Sequence, residues 1–188
     1  MQKSVLGKIW HPINIEEDMV ASISRDLQIS DFLARLVSTR VSSSQEAFDF
    51  LDPRIKTLLP DPFHLLDMQK GVERIIKAIK AKEKICIFAD YDVDGATSSA
   101  LLKNVLRTLE IEAEIYVPDR IEEGYGPTTV AMQKIKDNGT KLLITVDCGS
   151  VAFEALLHAS EIGLDVIVID HHISLDKLPK AIAVINPN

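Results

Sequence analysis

From Ile85 onward, short apolar runs alternate with stretches of helical periodicity, and this alternation limits the fold more than any other feature of the chain. The runs fall at 85–89, 113–117, 141–146, 165–169 and 181–185, with helical patterns at 96–109, 127–138 and 151–162 between them. Buried strands joined by crossover helices build a mostly parallel sheet, so the expected class is α/β. Gly139 and Gly163 each stand just past a helical pattern, where a left-handed cap favours glycine.

The N-terminal part reads differently. Residues 1–14, with Trp10, His11 and Pro12, show little periodicity and are expected to be an extended lead-in. Ile15, Met19, Ile23 and Leu27, then Phe32, Leu33, Leu36 and Val37, predict two helices, the second capped by Ser30 or Asp31. Ser43 and Glu46 match a capping box for a third helix, which Asp52-Pro53 ends. Residues 53–67, with three prolines, are expected to be irregular. A further helix over 68–82 turns Val72, Ile75, Ile76 and Ile79 inward and Lys70, Arg74, Lys77 and Lys80 outward. The expected division is a helical and irregular segment, 1–67, packed on an α/β lobe, 68–188.

The chain has 188 residues, 46% hydrophobic and 26% charged, enough for a sizeable core. No apolar run approaches the ~20 residues that cross a bilayer, and no secretory signal is visible, so no membrane partner is expected. The two cysteines, Cys86 and Cys148, are too few for a disulfide framework and read as small core residues, which fits a cytoplasmic location. A net charge of −7 argues against simple coating of nucleic acid, yet clustered carboxylates that hold divalent ions exaggerate the formal count.

Ligands of open parallel sheets bind beyond the carboxyl ends of the strands. Acidic and imidazole groups gather at three of those ends: Asp90, Asp92 and Asp94 after the first run, Asp147 after the third, and Asp170, His171 and His172 after the fourth. Carboxylates this close repel one another unless a cation or solvent intervenes. Hard oxygens with one or two imidazoles suit Mn2+ or Mg2+, and could also hold Zn2+ or Fe2+. A two-metal hydrolytic site is the natural chemical reading. Gly95 permits a tight turn, and a helix start at Ala96 to Ser99, through Thr97 and Ser98, offers N–H groups to a phosphate oxygen. Plain alternatives stand beside these readings. Asp147 could cap the helix near Val151, the two histidines could form a polar turn, and Asp90 could orient the other acids.

Asp-Tyr-Asp-Val-Asp-Gly, Val-Asp-Cys-Gly and Asp-His-His, in this order and on these strand ends, resemble the first three motifs of the DHH phosphoesterase superfamily. Residues 40–53, 61–68 and 118–126 narrow the resemblance to the RecJ exonuclease family. It implies a DHH-type lobe that hydrolyses phosphodiester bonds of single-stranded DNA from the 5′ end in repair and recombination. It also implies two Mn2+ or Mg2+ ions, with Asp92, Asp94, Asp147 and His171 as ligands and Asp147 bridging. Asp90 and Asp170 would support these ligands, and His172 would face the scissile phosphate. Gly124, Tyr125 and Gly126 match a family loop near the site, so Arg120 and Tyr125 are candidate substrate contacts; an ion pair of Arg120 with Glu122 or Glu123 is the plain alternative. Implied partners are single-stranded DNA and a single-strand-binding protein or helicase. The family's fourth motif, its second lobe and its OB domain are expected beyond Asn188, so reduced or absent activity is expected of this stretch alone. The alternatives are a small oligonucleotide or cyclic-dinucleotide phosphodiesterase and a non-catalytic binding remnant.

Overall fold

The computed structural model describes residues 4–9, 11 and 13–188, so Trp10 and Pro12 of the expected lead-in lie outside the described residues. The chain divides into two compact units, Met1–Pro60 and Asp61–Asn188.

In the first unit, α1 (Glu17–Leu27), α2 (Asp31–Val37), α3 (Ser44–Leu51) and the short α4 (Ile55–Leu58) follow one another. Val20 and Ile23 of α1 pack with Ala34 and Val37 of α2 and with Ala47 of α3. Of the two candidate caps for α2 it is Ser30 that acts, accepting from the Leu33 N–H at 3.3 Å. The capping box of α3 is only half formed. Ser43 accepts from the Glu46 N–H, but the Glu46 carboxylate turns to the N–H and hydroxyl of Ser42, at 2.7 and 2.8 Å. Regular structure in the proline-rich stretch is confined to α4 and a 3-10 turn over Pro62–His64.

The second unit is a five-stranded, wholly parallel sheet between helices. Its strands are β1 (Ile85–Ala89), β2 (Ala113–Tyr116), β3 (Leu142–Val146), β4 (Asp165–Ile169) and β5 (Ala183–Ile185), in the order β2-β1-β3-β4-β5. Its helices are α5 (Met68–Lys80), α6 (Val93–Thr108), α7 (Thr129–Asp137) and α8 (Phe153–Glu161). Ile85, Ile87 and Ala89 turn to one face with Ala78 of α5 and Leu106 of α6; Cys86 and Phe88 turn to the other with Met132 of α7 and Leu156 of α8. Burial on both faces is why the central strands β1 and β3 read as unbroken apolar runs rather than alternating ones. The thiol of Cys86 is pushed up to about 12 by burial and that of Cys148 is also raised, first by burial, so both behave as core residues.

Several expectations change. Arg74, expected outward on α5, is buried; its Nε reaches Asp165 at 2.6 Å and its Nη2 reaches Glu83 at 2.7 Å, while Ile76 faces solvent. Two carboxylates, one of them 91 residues away, draw the guanidinium in where the helical wheel alone puts it outside. Helix α5 also ends at Lys80, two residues early. Helix α6 begins at Val93 rather than Ala96, because Asp92 caps it by accepting from the Gly95 N–H at 3.0 Å.

Candidate metal centre

The sheet order reverses between β1 and β3, and crevices at such switch points are where open α/β sheets take ligands. Register does the rest. Ala89 pairs with Val146, Val146 with Ile169 and Ile169 with Ile185, so the next residues, Asp90, Asp147, Asp170 and Asn186, stand side by side along one edge.

Asp90 is buried and accepts from the Tyr91 N–H at 2.7 Å, which fixes its carboxylate against its own turn. Asp92 is exposed at the head of α6, and the Gly95 N–H holds its carboxyl below the usual range. Asp147 is buried, with a backbone φ of +61°, a region that Asp tolerates better than most residues. It does not cap α8, whose cap position is Ala152, so the capping alternative does not hold. Its Oδ1 lies 3.0 Å from His171 Nε2, and its Oδ2 is buried with no hydrogen-bond partner among the described residues. Burial, and then the Asp92 carboxylate beside it, push the Asp147 carboxyl up.

Ligand atoms of Asp90, Asp92 and Asp147 lie within 4.8 Å of one another, as do those of Asp147, His171 and His172. Asp147 belongs to both groups. Asp94 lies on the first turn of α6, in neither group, and lines a hollow of about 310 Å³ with Ser98, Val146, Asp147, Ile169 and His171. A larger hollow of about 780 Å³, lined by Lys82, Lys84, Lys103, Glu110 and Glu112, carries no comparable cluster.

Asp170 anchors the far side. It accepts from the Ser150 N–H at 2.9 Å, from the His171 and His172 N–H groups at 2.7 and 3.1 Å, and lies 2.7 Å from His172 Nδ1. Burial alone would raise its carboxyl, but these bonds outweigh it and hold the carboxyl down at about 2. The same carboxylate pushes His172 above its ordinary value. Sequence reasoning missed Asn186, whose Nδ2 donates to Ser150 Oγ at 2.8 Å and to the His172 carbonyl at 2.9 Å. Its only signal was its place one residue past β5.

With α6 starting early, the Ala96 N–H already donates to the Asp92 carbonyl, and the Thr97 hydroxyl donates to the Val93 carbonyl at 2.8 Å. The helix start expected at Ala96 to Ser99 therefore lies at Val93, with the Gly95 N–H taken by the Asp92 carboxylate. Gly95 answers a close approach: a Cβ there would stand 2.3 Å from the Asp90 carbonyl oxygen. Alanine normally gains about 1 kcal/mol over glycine inside a helix. The clash should reverse that sign, and Gly95→Ala is expected to destabilise the chain by about 2 kcal/mol and to weaken divalent-ion binding as the Asp90 peptide moves. Denaturant titration and calorimetry check this, and a more stable variant would contradict it.

Arg120 makes no ion pair with a carboxylate among the described residues, so the pairing with Glu122 or Glu123 is not formed. Its guanidinium lies 5.5 Å from the centre of the Tyr91 ring, and Tyr125 meets Tyr91 edge-on at 6.1 Å. The Tyr125 side chain is more than half exposed, and its phenol is pushed up to about 12 by partial burial and then by negative groups that include Asp90, Asp170 and Asp147.

Residues 84–188 match the family described as DHH family, N-terminal domain. The chain belongs to the DHH family. Among DHH relatives it is 37% identical over 179 residues to the single-stranded-DNA-specific exonuclease RecJ of Bacillus subtilis (strain 168), covering 95% of this chain and 23% of that protein. With the enzyme of the same name from Escherichia coli (strain K12) it shares 37% identity over 175 residues, covering 92% and 29%. A crystal structure of exonuclease RecJ bound to manganese matches with a TM-score of 0.60 at 31% identity, over 65% of this chain and 31% of that one. The crystal structure of RecJ from Thermus thermophilus in complex with Mn2+ matches with a TM-score of 0.65 at 24% identity, over 92% and 24%, and shows the shared fold. The chain thus spans about a quarter of the length of these curated DHH relatives.

Proposed function

We propose that this chain is the metal-holding lobe of a phosphodiesterase that removes nucleotides from the 5′ end of single-stranded DNA, a reading supported by its relatives' description as single-stranded-DNA-specific exonucleases. The observation that carries the reading is Asp147 Oδ2, a buried carboxylate oxygen without a partner among the described residues, flanked by Asp90, Asp92 and His171. An orphaned anionic oxygen inside a set of hard donors fits a divalent cation, and the solved relatives hold manganese. Asp92, Asp94, Asp147 and His171 would hold Mn2+ or Mg2+, with Asp90 adding an oxygen that the geometry brings within reach. Such ions supply Lewis-acid polarisation of phosphoryl oxygens and a lowered pKa for an attacking water.

The chain's own groups do the remainder. Asp170 fixes His172 through Nδ1 and favours its charged form, so Nε2 remains to donate a proton or hydrogen bond to a phosphate oxygen. Arg120, on the face of Tyr91, offers a cation to the same backbone, and Tyr125 flanks it. Ser98, on the second turn of α6, lines the approach, and the buried Gly95 lets the Asp90 peptide pass close beneath it.

The test is digestion of a 3′-labelled oligonucleotide with and without Mn2+, as single strand and as duplex. Slow, metal-dependent loss of 5′ nucleotides from the single strand, absent in Asp147→Ala, is the expected result. Equal cleavage of duplex, or cleavage that persists in chelator, would overturn the reading. Robust processive digestion would contradict the expectation of reduced activity in this stretch alone, and cleavage confined to dinucleotides would replace the substrate assignment.

A further inference from the structure

The segment from Asp119 to Gly126 has no regular structure, yet hydrogen bonds close it on itself. The N–H groups of Glu123 and Gly124 donate to the Asp119 carbonyl at 2.8 and 3.2 Å, and the Asp119 carboxylate accepts from Ile121 and Glu122. One side chain ties this turn to the sheet. The Glu123 carboxylate accepts from the Tyr116 hydroxyl through one oxygen and from the Asp119 N–H, at 3.3 Å, through the other.

Tyr116 is itself held on three sides. Its ring stacks on the fully buried Phe88 with centres 5.5 Å apart, Lys134 Nζ lies 5.1 Å above the ring, and the same ammonium donates to the phenol oxygen at 3.4 Å. Burial, and then the Glu123 carboxylate, push the phenol up to about 12, so its O–H remains a donor across the physiological range. The contacts close a ring: Phe88 of β1, Tyr116 of β2, Glu123, the Asp119 turn, Arg120, and then Tyr91, two residues past the end of β1.

We propose that Tyr116 and Glu123 are positioning residues that lock the 119–126 turn so that Arg120 stands on the Tyr91 ring at the rim of the acid cluster, ready for the substrate's phosphodiester backbone. The proposal rests on the phosphodiesterase reading for its substrate and on the observed contacts for the lock. Neither residue touches the reacting atoms. An unlocked turn would leave Arg120 as a solvated cation on a mobile loop, with its ordering cost added to binding.

The experiment compares the full chain with Glu123→Ala, Glu123→Gln and Tyr116→Phe in two measurements. The first is the ring-current-shifted proton signals of Arg120 on Tyr91, read by NMR; the second is affinity for a short 5′-phosphorylated oligothymidylate with Mn2+, alongside affinity for Mn2+ alone. Glu123→Ala is expected to lose the shifted signals and bind the oligonucleotide about tenfold more weakly, the size typical of losing a supporting partner, with Mn2+ affinity unchanged. Glu123→Gln keeps an acceptor for the Tyr116 hydroxyl and is expected to restore both, which a loss of bulk stability alone would not explain. Arg120 signals that stay in place in Glu123→Ala would overturn the proposal, as would signals lost with oligonucleotide affinity intact. If the unaltered chain binds Mn2+ but no oligonucleotide, the substrate reading fails, and the NMR signals still decide the lock.

Discussion

Asparagine in place of Asp147 is expected to make the metal-free chain more stable while removing its response to Mn2+. Asp147 is buried, shares its surroundings with Asp92, and leaves Oδ2 without a partner, so its charge is costly in the absence of a cation. Asparagine keeps an acceptor for His171 and tolerates the positive φ, so little is lost in exchange. The direction with pH follows from the raised carboxyl. A carboxyl whose folded pKa exceeds its unfolded value costs nothing while both states are protonated, and the cost grows as pH climbs from the ordinary carboxylate range through the raised value. The variant's advantage should therefore be absent in acid and full at neutral pH, on the order of 1–2 kcal/mol, at about 2–4 °C of melting temperature per kcal/mol in a chain of this size. Mn2+ should reverse the order by stabilising the unaltered chain alone. Melting curves in chelator and in Mn2+ across pH decide this; a less stable metal-free variant at neutral pH would contradict it.

Alanine at Asp170 should do the opposite. Its carboxylate accepts from three backbone N–H groups and pairs with His172 Nδ1, and alanine leaves those donors facing a small void. A loss of about 3 kcal/mol is expected from a buried, multiply bonded charge. Two limbs of the pH profile should change with it. Asp170 titrates at about 2 against an ordinary 3.8, so it contributes stability that is present above the ordinary value and lost as pH falls toward 2, roughly 2 kcal/mol in all. His172, raised by Asp170, contributes stability that is full below its ordinary 6.5 and lost as pH rises through the raised value. Both limbs should flatten in Asp170→Ala, as measured by urea unfolding across pH. An unchanged acid limb would show that the carboxylate does not carry these bonds in solution.

The sheet was legible because strands covered on both faces must be apolar where they are buried: the run 85–89 matches β1 residue for residue, and β4 is apolar after its first residue, Asp165. The clustering of acids at strand ends was legible for the same reason, since parallel strands put all their carboxyl ends on one edge. What escaped depended on partners distant in sequence or on a local choice between caps. Arg74 is buried because Asp165 and Glu83 meet it, and no helical wheel contains them. Asp90, Asp92 and Asp94 look equivalent at every second position, but the early start of α6 makes Asp92 a cap, carries Asp94 onto the helix and leaves Asp90 beside Asp147. Asn186 joins the edge only through the register of β5, and the Tyr116–Glu123 contact only through the path of the 119–126 turn.

Asp92 and Asp147 bring ligand atoms within 4.8 Å of each other, and the proposed function requires that they share one divalent cation. Titration of Mn2+ into the purified chain, with free ion followed by electron paramagnetic resonance, tests that requirement against a variant carrying both Asp92→Ala and Asp147→Ala. Saturable binding by the chain, weakened about 100-fold or more in the variant, is expected; equal affinity in the two proteins would show that these carboxylates hold no common ion.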